Sequence, residues 1–372
     1  MSSKQSTIWK AEPHTIAKIE MLRSYLHVWF AILGMTFKGR DLWYVDGFAG
    51  PGEYTNYPQG SPLAALSSAT SARRETSTRW RAAEIRCFFI EEDGPRFNHL
   101  QSKLSALPSV DGVSSRAFHG TFAQGITDLK GQSNNPFSSA DPVFAFVDPF
   151  GAKGLSFNSV RDLLSHQACE VLVNLDSDGI GRIYQAGDYA NHRQLLNDVF
   201  GDDSWEREFA GAHQLHDVVR RVVNLYKRKL RELPAVSYAF SFEMRKQHDV
   251  FDYHLVFASQ HALGLERMKE VMKKLDKTGA YCFSDDHVGQ QSLFTFDDPS
   301  GPAEQMHKYF AGRSVPYAEV HAYALNESPF SNPKSMLSYL EDAGQITVDA
   351  GNQNRRKSTY PERLQALIKV QF

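Results

Sequence analysis

The feature that most constrains the fold is a series of short apolar runs, each closed by a polar or glycine residue. Four such runs lie at residues 42–46, 85–91, 143–148 and 170–175. Continuous apolar runs of this length are typical of strands that are buried on both faces of a parallel sheet. Crossover helices fit between them, and two candidate helices, 61–72 and 94–107, carry proline in the first turn. The sequence therefore predicts an α/β, Rossmann-like sheet with helices on both faces.

Further patterns extend this domain on both sides of the four runs. Apolar residues at helical spacing predict an amphipathic helix over 14–33 and a basic helix over 206–233. Two more strand-like runs, 237–245 and 252–259, indicate an antiparallel pair that closes one edge of the sheet. Together these elements predict one large domain.

A turn-rich segment, D-D-P-S-G-P at 297–302, indicates a linker between two domains. The first domain then covers 1–296, and the second covers 303–372. Three short helices are predicted in the second domain, at 303–311, 316–325 and 332–343. They precede an I-T-V segment, a basic loop and a final strand-like run at 367–372. Three helices followed by a two-stranded wing are the outline of a winged helix-turn-helix domain.

Composition excludes several classes of protein. The formal net charge of -2 provides no global field that attracts nucleic acid, so any basic binding surface has to be local. The cysteines, Cys87, Cys169 and Cys282, lie far apart without C-x-x-C spacing, which argues against a metal centre or a disulfide framework. No apolar stretch of about 18 residues or more is present to span a bilayer. We therefore expect a cytoplasmic protein with no metal and no membrane association.

The strongest local motif is D-G-F-A-G-P-G, at the end of the first predicted strand. Glycines let the backbone turn sharply and approach a nucleotide-like ligand, and a carboxylate at the strand end can accept hydrogen bonds from ligand ammonium or hydroxyl groups. A plain Gly/Pro turn is the alternative, and the motif is neither a dinucleotide fingerprint nor a phosphate-binding loop. Ser61 caps the next helix or helps its amide groups to hold a ligand carboxylate. The predicted cofactor-binding residues of the motif are Asp46, Gly47, Phe48, Ala49, Gly50 and Gly52.

Acidic residues at the end of the next strand extend the candidate cofactor site. An acid at this position can accept hydrogen bonds from ribose hydroxyl groups, and Glu91 is the preferred candidate. Glu92 is a second candidate, although for Glu92 and Asp93 a solvated cluster at a helix start is an equal alternative. Lys18 lies one helical turn from His14 and is predicted at the mouth of the cofactor site, with surface placement as the alternative.

The run V-F-A-F-V-D-P-F-G supplies a candidate acceptor site. Asp148, Pro149 and Phe150 place an acidic acceptor, a rigid carbonyl group and an exposed aromatic ring in succession. The oxygen atoms can hold the N–H groups of a planar, amino-bearing substrate while the ring stacks on it. A simple turn after a strand is the alternative. We predict these three residues as the catalytic residues.

These motifs stand in the order found in class I methyltransferases. D-G-F-A-G-P-G resembles the glycine-rich motif of that superfamily, especially the D-x-F-x-G-x-G form of nucleic-acid methyltransferases. Asp148-Pro149-Phe150 resembles their [D/N]-P-P-[Y/F] motif, but it lacks the second proline and carries Gly151. The resemblance implies S-adenosylmethionine as the cofactor, with His119 at the edge of the adenine pocket and a lid or insertion at 52–60.

More narrowly, the chain resembles the bacterial three-Cys-motif partner family over most of its length. The segments that carry the resemblance are His14 with Lys18, Y-L-H-V-W (25–29), Y-V-D-G-F-A-G-P-G-E-Y (44–54), G-S-P-L (60–63), F-V-D-P-F-G (146–151) and L-V-F-A-S-Q-H-A-L-G-L-E-R-M-K (255–269). The family name refers to a cysteine motif in a companion protein. The resemblance implies a methyltransferase-like protein paired with a companion whose cysteine triad indicates radical chemistry.

Two basic segments, 220–231 and 352–369, are candidates for contact with nucleic acid. The second lies in the predicted wing, where Arg355, Arg356 and Lys357 suit phosphate contacts. Solvated faces are the alternative for both segments, and winged helices also dock on proteins.

Two hypotheses of function follow from these features. The first is an S-adenosylmethionine-dependent methyltransferase that acts on nucleic acid at an exocyclic amino group. The second is a catalytically weak partner protein that uses the same fold to bind a companion enzyme. A nicotinamide-dependent oxidoreductase is disfavoured because the dinucleotide fingerprint is missing.

Overall fold

The predicted α/β sheet is confirmed by a computed structural model, which describes residues 7–246, 251–276, 282–284, 298–351 and 353–372. In chain order the strands are β1 (Leu42–Asp46), β2 (Ile85–Glu91), β3 (Val113–His119), β4 (Val143–Val147), β5 (Cys169–Leu175), β6 (Tyr238–Arg245), β7 (Phe251–Ser259) and β8 (Cys282–Ser284). Their order across the sheet is β3-β2-β1-β4-β5-β7-β6-β8. The first five strands are parallel, and β7 runs antiparallel to both β5 and β6.

Helices cover both faces of this sheet. They are α1 (Pro13–Thr36), α2 (Ser61–Glu75), α3 (Gly94–Ala106), α4 (Phe122–Gly131), α5 (Phe157–Leu164), α6 (Ser177–Gln185), α7 (Arg193–Phe200), α8 (Ser204–Phe209), α9 (Leu215–Arg231) and α10 (Ala262–Leu275). Successive side chains of a strand point to opposite faces. Val45 of β1 accordingly belongs to a core with α9, whereas Tyr44 belongs to a second core with α1. Burial on both faces explains why the strands are continuous apolar runs.

Two sequence predictions about this part of the chain need correction. The β6–β7 pair is antiparallel as predicted, but it does not form the sheet edge, because the short strand β8 pairs with β6 on its outer side. The basic helix predicted over 206–233 is broken into α8 and α9. Gly211 between them has a φ of 77°, a left-handed conformation that a continuous helix does not allow.

Residues 298–372 build a smaller unit with an apolar core of its own. Its elements are α11 (Ser300–Phe310), β9 (Ser314–Pro316), α12 (Tyr317–Glu327), α13 (Lys334–Asp342), β10 (Thr347–Asp349), α14 (Glu362–Gln365) and β11 (Lys369–Gln371). The three strands form an antiparallel sheet in the order β10-β11-β9. The three predicted helices are present, whereas β9 and α14 were not predicted. Its assignment as a winged helix stays a prediction.

The predicted linker at 297–302 is wrong in its second half. Ser300 already begins α11, and both its backbone N–H and its hydroxyl donate to the carboxylate of Asp298, each at 2.9 Å. Asp297, the first residue of the predicted linker, lies outside the described residues. The last three residues of the segment therefore lie in the first turn of α11, and the division into two domains stays a prediction.

A buried lysine of the large sheet domain anchors the smaller unit. Lys269 of α10 is 1% exposed, and its Nζ donates to the carbonyl oxygens of Ala324 (3.1 Å), Ser328 (2.7 Å) and Phe330 (3.1 Å). The same ammonium group lies 4.1 Å from the centroid of the Phe240 ring. The last carbonyl groups of a helix lack helical donors. Lys269 therefore caps the end of α12 from the other unit.

The described residues contain neither a candidate membrane span nor a candidate metal centre. Within those ranges, none of the helices has both the length and the apolar character needed to cross a bilayer. In the same part of the chain, no group of three or more histidine, cysteine and acidic side chains is arranged so that it could hold a metal ion. The three cysteines are buried, and no disulfide joins any two of them.

Candidate functional site

The three acidic positions singled out in the sequence meet at one edge of the sheet. The strand order reverses at β1, because β2 pairs with one side of β1 and β4 with the other. Asp46 stands in register with Phe89 and with Phe146, so Glu91 and Asp148 each follow two residues beyond these partners. In α/β sheets, ligands bind outside the carboxyl ends of the strands at such a switch point. The crevice between β1, β2 and β4 is the candidate site.

Asp46 supports the glycine loop from within the protein. Its carboxylate is fully buried and accepts hydrogen bonds from the Tyr44 hydroxyl (3.1 Å) and the Phe48 backbone N–H (3.2 Å). Ser61, the first residue of α2, also donates to it. Burial and, to a smaller extent, the charge of Asp148 raise the pKa of Asp46 to about 7, although the hydrogen bonds that its carboxylate accepts oppose this shift. The two side chains of Asp46 and Ser61 therefore bind each other, and their contacts with a ligand stay predictions.

The backbone of the glycine loop is held close to both neighbouring strands. The N–H of Gly47 donates to a β4 carbonyl group and that of Ala49 to a carbonyl group at the end of β2, both at 2.8 Å. Gly50 and Gly52 have φ values of 65° and 88°, in the left-handed region that favours glycine. A Cβ atom on Gly50 would meet no other atom within 4 Å. Open space therefore adjoins the loop where a ligand has to approach.

Glu91 joins the end of β2 to this loop. Its Oε2 accepts from the Gly50 backbone N–H at 2.7 Å, and its Oε1 accepts from that of Asp93 at 2.8 Å. Burial raises the pKa of Glu91, although both backbone donors oppose this shift. A carboxylate has about four acceptor positions, so two bonds leave capacity for ribose hydroxyl groups. Glu91 and Gly50, predicted to contact the same cofactor, are direct neighbours.

Glu92 and Asp93 have different environments from Glu91. The Glu92 side chain is exposed, and its carbonyl oxygen lies 3.1 Å from Nε2 of His119, whose ring stacks on Phe97 at 4.9 Å. Asp93 caps α3 by accepting from the Arg96 backbone N–H at 3.0 Å. The helix-start interpretation therefore applies to both acids. His119 lies at the crevice edge, in register with Glu91.

Asp148 is paired with Lys18, which the sequence analysis assigned to the cofactor. Lys18 Nζ and Asn174 Nδ2 each lie 2.6 Å from the same oxygen of Asp148, Oδ1. The side chains of Lys18 and Asp148 are 9% and 21% exposed. The Oδ1 of Asn174 is buried and has no hydrogen-bond partner among the described residues. Lys18 therefore contacts the carboxylate of the predicted acceptor site, and its contact with a cofactor stays a prediction. Asn174 is an additional residue that contacts Asp148.

An aromatic and cationic cluster covers the mouth of the crevice. Phe150 is 63% exposed, and the centroid of its ring lies 5.5 Å from that of Trp9. The Trp9 ring also contacts Tyr54 edge-on at 5.5 Å. The guanidinium group of Arg96 lies 4.7 Å from the Trp9 centroid and 5.0 Å from that of Phe150. Phe150 is thus oriented by its neighbours while part of its ring remains open to solvent.

The predicted lid at 52–60 is a loop held down by the N-terminal segment. The Thr55 N–H donates to the Trp9 carbonyl group at 2.9 Å. The Asn56 side chain bonds both backbone groups of Ala11, at 2.7 and 3.0 Å. This segment therefore places Trp9 over the crevice.

The predicted phosphate-binding residues of the wing separate into two groups. Arg355 forms a buried ion pair with Glu341, whose carboxylate also accepts from the Tyr360 hydroxyl at 2.8 Å. The assignment of Arg355 to phosphate is therefore corrected, because this guanidinium group stabilises the unit internally. Arg356 and Lys357 are exposed. They stay candidates for phosphate contact.

Most cations of the basic run 220–231 form ion pairs with acids from neighbouring segments. The ion pairs are Arg220 and Arg221 with Asp217, Arg228 with Glu208, Lys229 with Asp202 and Arg231 with Glu327. These four carboxylates come from other turns and elements and offset part of the positive charge of the run. Contact of this run with nucleic acid stays a prediction, with a solvated face as the alternative.

Three residues of the candidate site were missed in the sequence. Asn174 had a readable signal, since it is a polar residue near the end of the apolar run E-V-L-V-N-L. Trp9 and Arg96 had none, because each lies outside the motifs and reaches Phe150 only through tertiary packing.

Comparisons with known proteins give distant similarities only. No protein-family model and no curated protein matches the sequence. Similar solved structures include a "putative methyltransferase" from Porphyromonas gingivalis W83, with 13% identity, a TM-score of 0.28, and coverage of 62% of this chain and 40% of that chain. A "putative O-methyltransferase" from Klebsiella pneumoniae has 8% identity, a TM-score of 0.32 and coverage of 67% and 90%. A geranyl diphosphate methyltransferase in complex with GPP and sinefungin has 10% identity, a TM-score of 0.27, and coverage of 66% of this chain and 77% of that chain.

These similar structures are methyltransferases by description, but the scores are too low to carry an argument about activity. The chain spans less than half the length of the Porphyromonas protein. The resemblance to the three-Cys-motif partner family rests on the sequence motifs alone. Function therefore has to be argued from the site.

Proposed function

We propose that the chain is an S-adenosylmethionine-dependent methyltransferase that acts on an exocyclic amino group of nucleic acid. The observation that carries this proposal is the meeting of the glycine loop, Glu91 and Asp148 at the switch point of the sheet. Such a crevice suits a nucleoside ligand, because backbone amides and an acidic residue are available for its polar groups. The bound cofactor would supply an electrophilic methyl group.

The residues of the crevice divide the work between the two substrates. Gly50 leaves open space beside the loop, and Glu91 has acceptor capacity for ribose hydroxyl groups. Asp148 Oδ2 and the Pro149 carbonyl group are acceptors for an amino group, and Asn174 positions Asp148 by donating to its Oδ1. Phe150 offers an exposed ring on which a flipped or single-stranded base can stack. Positioning of the nitrogen is then the main catalytic contribution of the chain.

Cofactor binding tests the first half of this proposal. We expect Glu91→Gln to lower the affinity for S-adenosylmethionine by about tenfold, because a charge-assisted hydrogen bond is replaced by a neutral one. Gly50→Val should abolish binding, because φ at this position is 65° and the side chain would enter the ligand space. Calorimetric titration measures both, and Glu304→Gln is the matched control because this glutamate is exposed on α11, outside the crevice. Unchanged affinity in Glu91→Gln and Gly50→Val contradicts the site.

Asp46 predicts how stability depends on pH. Its pKa is raised to about 7 in the folded protein, so between its ordinary value and 7 the folded state holds a proton that the unfolded state has lost. Wild-type stability should therefore fall as pH rises through this range. Relative to Asp46→Asn, which cannot ionise, we expect a loss of about 2 kcal/mol between pH 5 and pH 7. Urea unfolding at several pH values measures the free energy of unfolding of both proteins. If the difference between the wild type and Asp46→Asn does not change with pH, the prediction is wrong.

A catalytically weak partner protein is the second candidate function. It is favoured by the ion pair between Lys18 and Asp148, because the ammonium group occupies the oxygen that would otherwise accept an amino group. In that case the protein binds S-adenosylmethionine, or only a companion protein, without transferring a methyl group. An assay with labelled cofactor and total nucleic acid separates this candidate from the first.

The exposed cations of the wing predict a salt-dependent affinity for nucleic acid. Replacing Arg356 and Lys357 with alanine should lower the slope of log affinity against log salt by about two, one for each lost phosphate contact. Lys308→Ala on α11 is the control for loss of one exposed charge in the same unit. Fluorescence anisotropy with a labelled duplex measures the slope. A wild-type slope near zero would instead assign the smaller unit to protein docking.

A further inference from the structure

Two sequence segments that methyl transfer does not use meet at the opposite end of the sheet. Residues of α1 from Tyr25 onwards, together with residues between His261 and Arg267 at the start of α10, line a cavity of about 310 Å³. The loops before β4 and β5 complete its wall, so the cavity lies at the amino ends of strands whose carboxyl ends form the crevice. Its walls are mainly apolar, with side chains such as Val28, Ile32 and Leu263. A volume of about 300 Å³ is sufficient for a small ligand.

The floor of this cavity is a buried carboxylate whose hydrogen bonds are already made. Glu170 Oε2 accepts from the Tyr25 hydroxyl (2.6 Å) and the Trp29 indole N–H (2.9 Å), and Oε1 accepts from the Ser259 hydroxyl (2.9 Å). A Cβ on Gly264 would lie 2.0 Å from Oε1, so α10 approaches the carboxylate as closely as a glycine allows. These contacts come from α1, β5, β7 and α10. The hydrogen bonds of Glu170 are therefore supplied by the protein itself, and the floor of the cavity is formed before any ligand binds.

The guanidinium group of Arg267 lies at the rim of this cavity and, unlike the carboxylate of Glu170, can donate hydrogen bonds to a ligand. The Nε of Arg267 is buried and has no acceptor among the described residues, whereas its Nη1 contacts the Glu270 carboxylate at 2.8 and 2.9 Å. Arg267 lines the cavity, and its side chain is partly exposed. The buried Nε is closed to a ligand, whereas the exposed part of the guanidinium group can donate to a ligand oxygen at the cavity mouth. The cavity therefore joins apolar walls to a cationic donor at its mouth.

We propose that this cavity binds a small apolar molecule that carries a carboxylate. The hydrocarbon part lies against α1 and the first turn of α10, and the carboxylate accepts from Arg267 at the rim. The charge of Arg267 selects an anionic head over a neutral one, while Glu170, bonded by three donors, only closes the floor. The site does not depend on the proposed methyl transfer, because none of its residues belongs to the crevice.

Calorimetric titration of the full chain with octanoate and 1-octanol tests the proposal. We expect octanoate to bind with one-to-one stoichiometry and Arg267→Gln to weaken it by about tenfold or more, while 1-octanol is unaffected by that change. Val28→Trp, which fills the cavity, should abolish binding of both probes. Lys274→Gln, an exposed charge on the same helix outside the cavity, is the matched control and should leave both affinities unchanged. If Val28→Trp does not fold, Leu33→Trp on the same wall replaces it.

Three results would overturn the proposal. Wild-type protein that shows no saturable binding of octanoate removes the site. Equal weakening by Arg267→Gln and Lys274→Gln assigns the effect to general charge. Undiminished binding in a folded Val28→Trp or Leu33→Trp protein places the probe elsewhere.

Discussion

Asp148→Asn is expected to lower the rate of methyl transfer by about 10²-fold while cofactor affinity is retained. The substitution keeps the shape of the side chain but exchanges one acceptor oxygen for a donor, so the amino group is no longer aimed at the methyl carbon. It also removes the negative charge that Lys18 contacts at 2.6 Å. A labelled-cofactor assay under saturating substrate measures the rate, and calorimetry measures the cofactor affinity.

Thermal melts and a second variant separate this role from a structural one. If Asp148 only stabilises a turn, Asp148→Asn lowers the melting temperature and leaves the activity per folded molecule unchanged. Phe150→Ala should act differently, by weakening acceptor binding through the loss of about 1 to 3 kcal/mol of stacking. An Asp148→Asn protein that melts normally and methylates at the parental rate would remove this residue from the mechanism.

Lys269→Met is expected to destabilise the protein by about 3 to 5 kcal/mol. The substitution removes the donor of the Ser328 and Phe330 carbonyl groups, at about 1 to 3 kcal/mol for each unsatisfied acceptor, whereas the Ala324 carbonyl group keeps the N–H and the hydroxyl of Ser328. Methionine has a similar length and fills the space beside Phe240. The loss of stability therefore measures the missing hydrogen-bond donor and not the formation of a cavity. Urea unfolding, followed by fluorescence and by circular dichroism, measures the change.

An exposed lysine on the same helix provides the control for Lys269. Lys274→Met should change stability by less than about 0.5 kcal/mol, as surface substitutions usually do. Because Lys269 joins the two units, we also expect Lys269→Met to separate a single unfolding transition into two. A loss below about 1 kcal/mol in Lys269→Met would show that water replaces the ammonium group at little cost.

The main sheet could be predicted because its strands are buried on both faces and therefore leave continuous apolar runs. β8 escaped prediction because three residues, Cys282 to Ser284, are too few to form such a run. In the smaller unit, β9 is equally short and lies directly before α12. Short edge strands are recognised by their pairing partners, which a local pattern does not contain.

The candidate site was predictable in its positions more than in its contacts. The glycine loop and the acids at the ends of β2 and β4 follow from strand ends, and the structure brings them together. The enclosure of Asp46 depends on Tyr44 of its own strand and on Ser61 of the next helix. The pairing of Lys18 with Asp148 joins residues 130 positions apart. Such distant contacts are decided by packing, which no local motif encodes.

The position of α1 has a consequence for how the chain folds during synthesis. This helix is synthesised before the strands of the sheet. Tyr25 contacts Glu170, which is synthesised 145 residues later, and the carbonyl group of His14 contacts Tyr253, which is synthesised 239 residues later. At about 5 to 20 residues per second, a ribosome needs on the order of 10 to 50 s to deliver Tyr253. Throughout that interval α1 can pack on α2, but its surface around Tyr25 and His14 lacks its final partners. The nascent protein should therefore depend on chaperones, and chains truncated before β7 should aggregate.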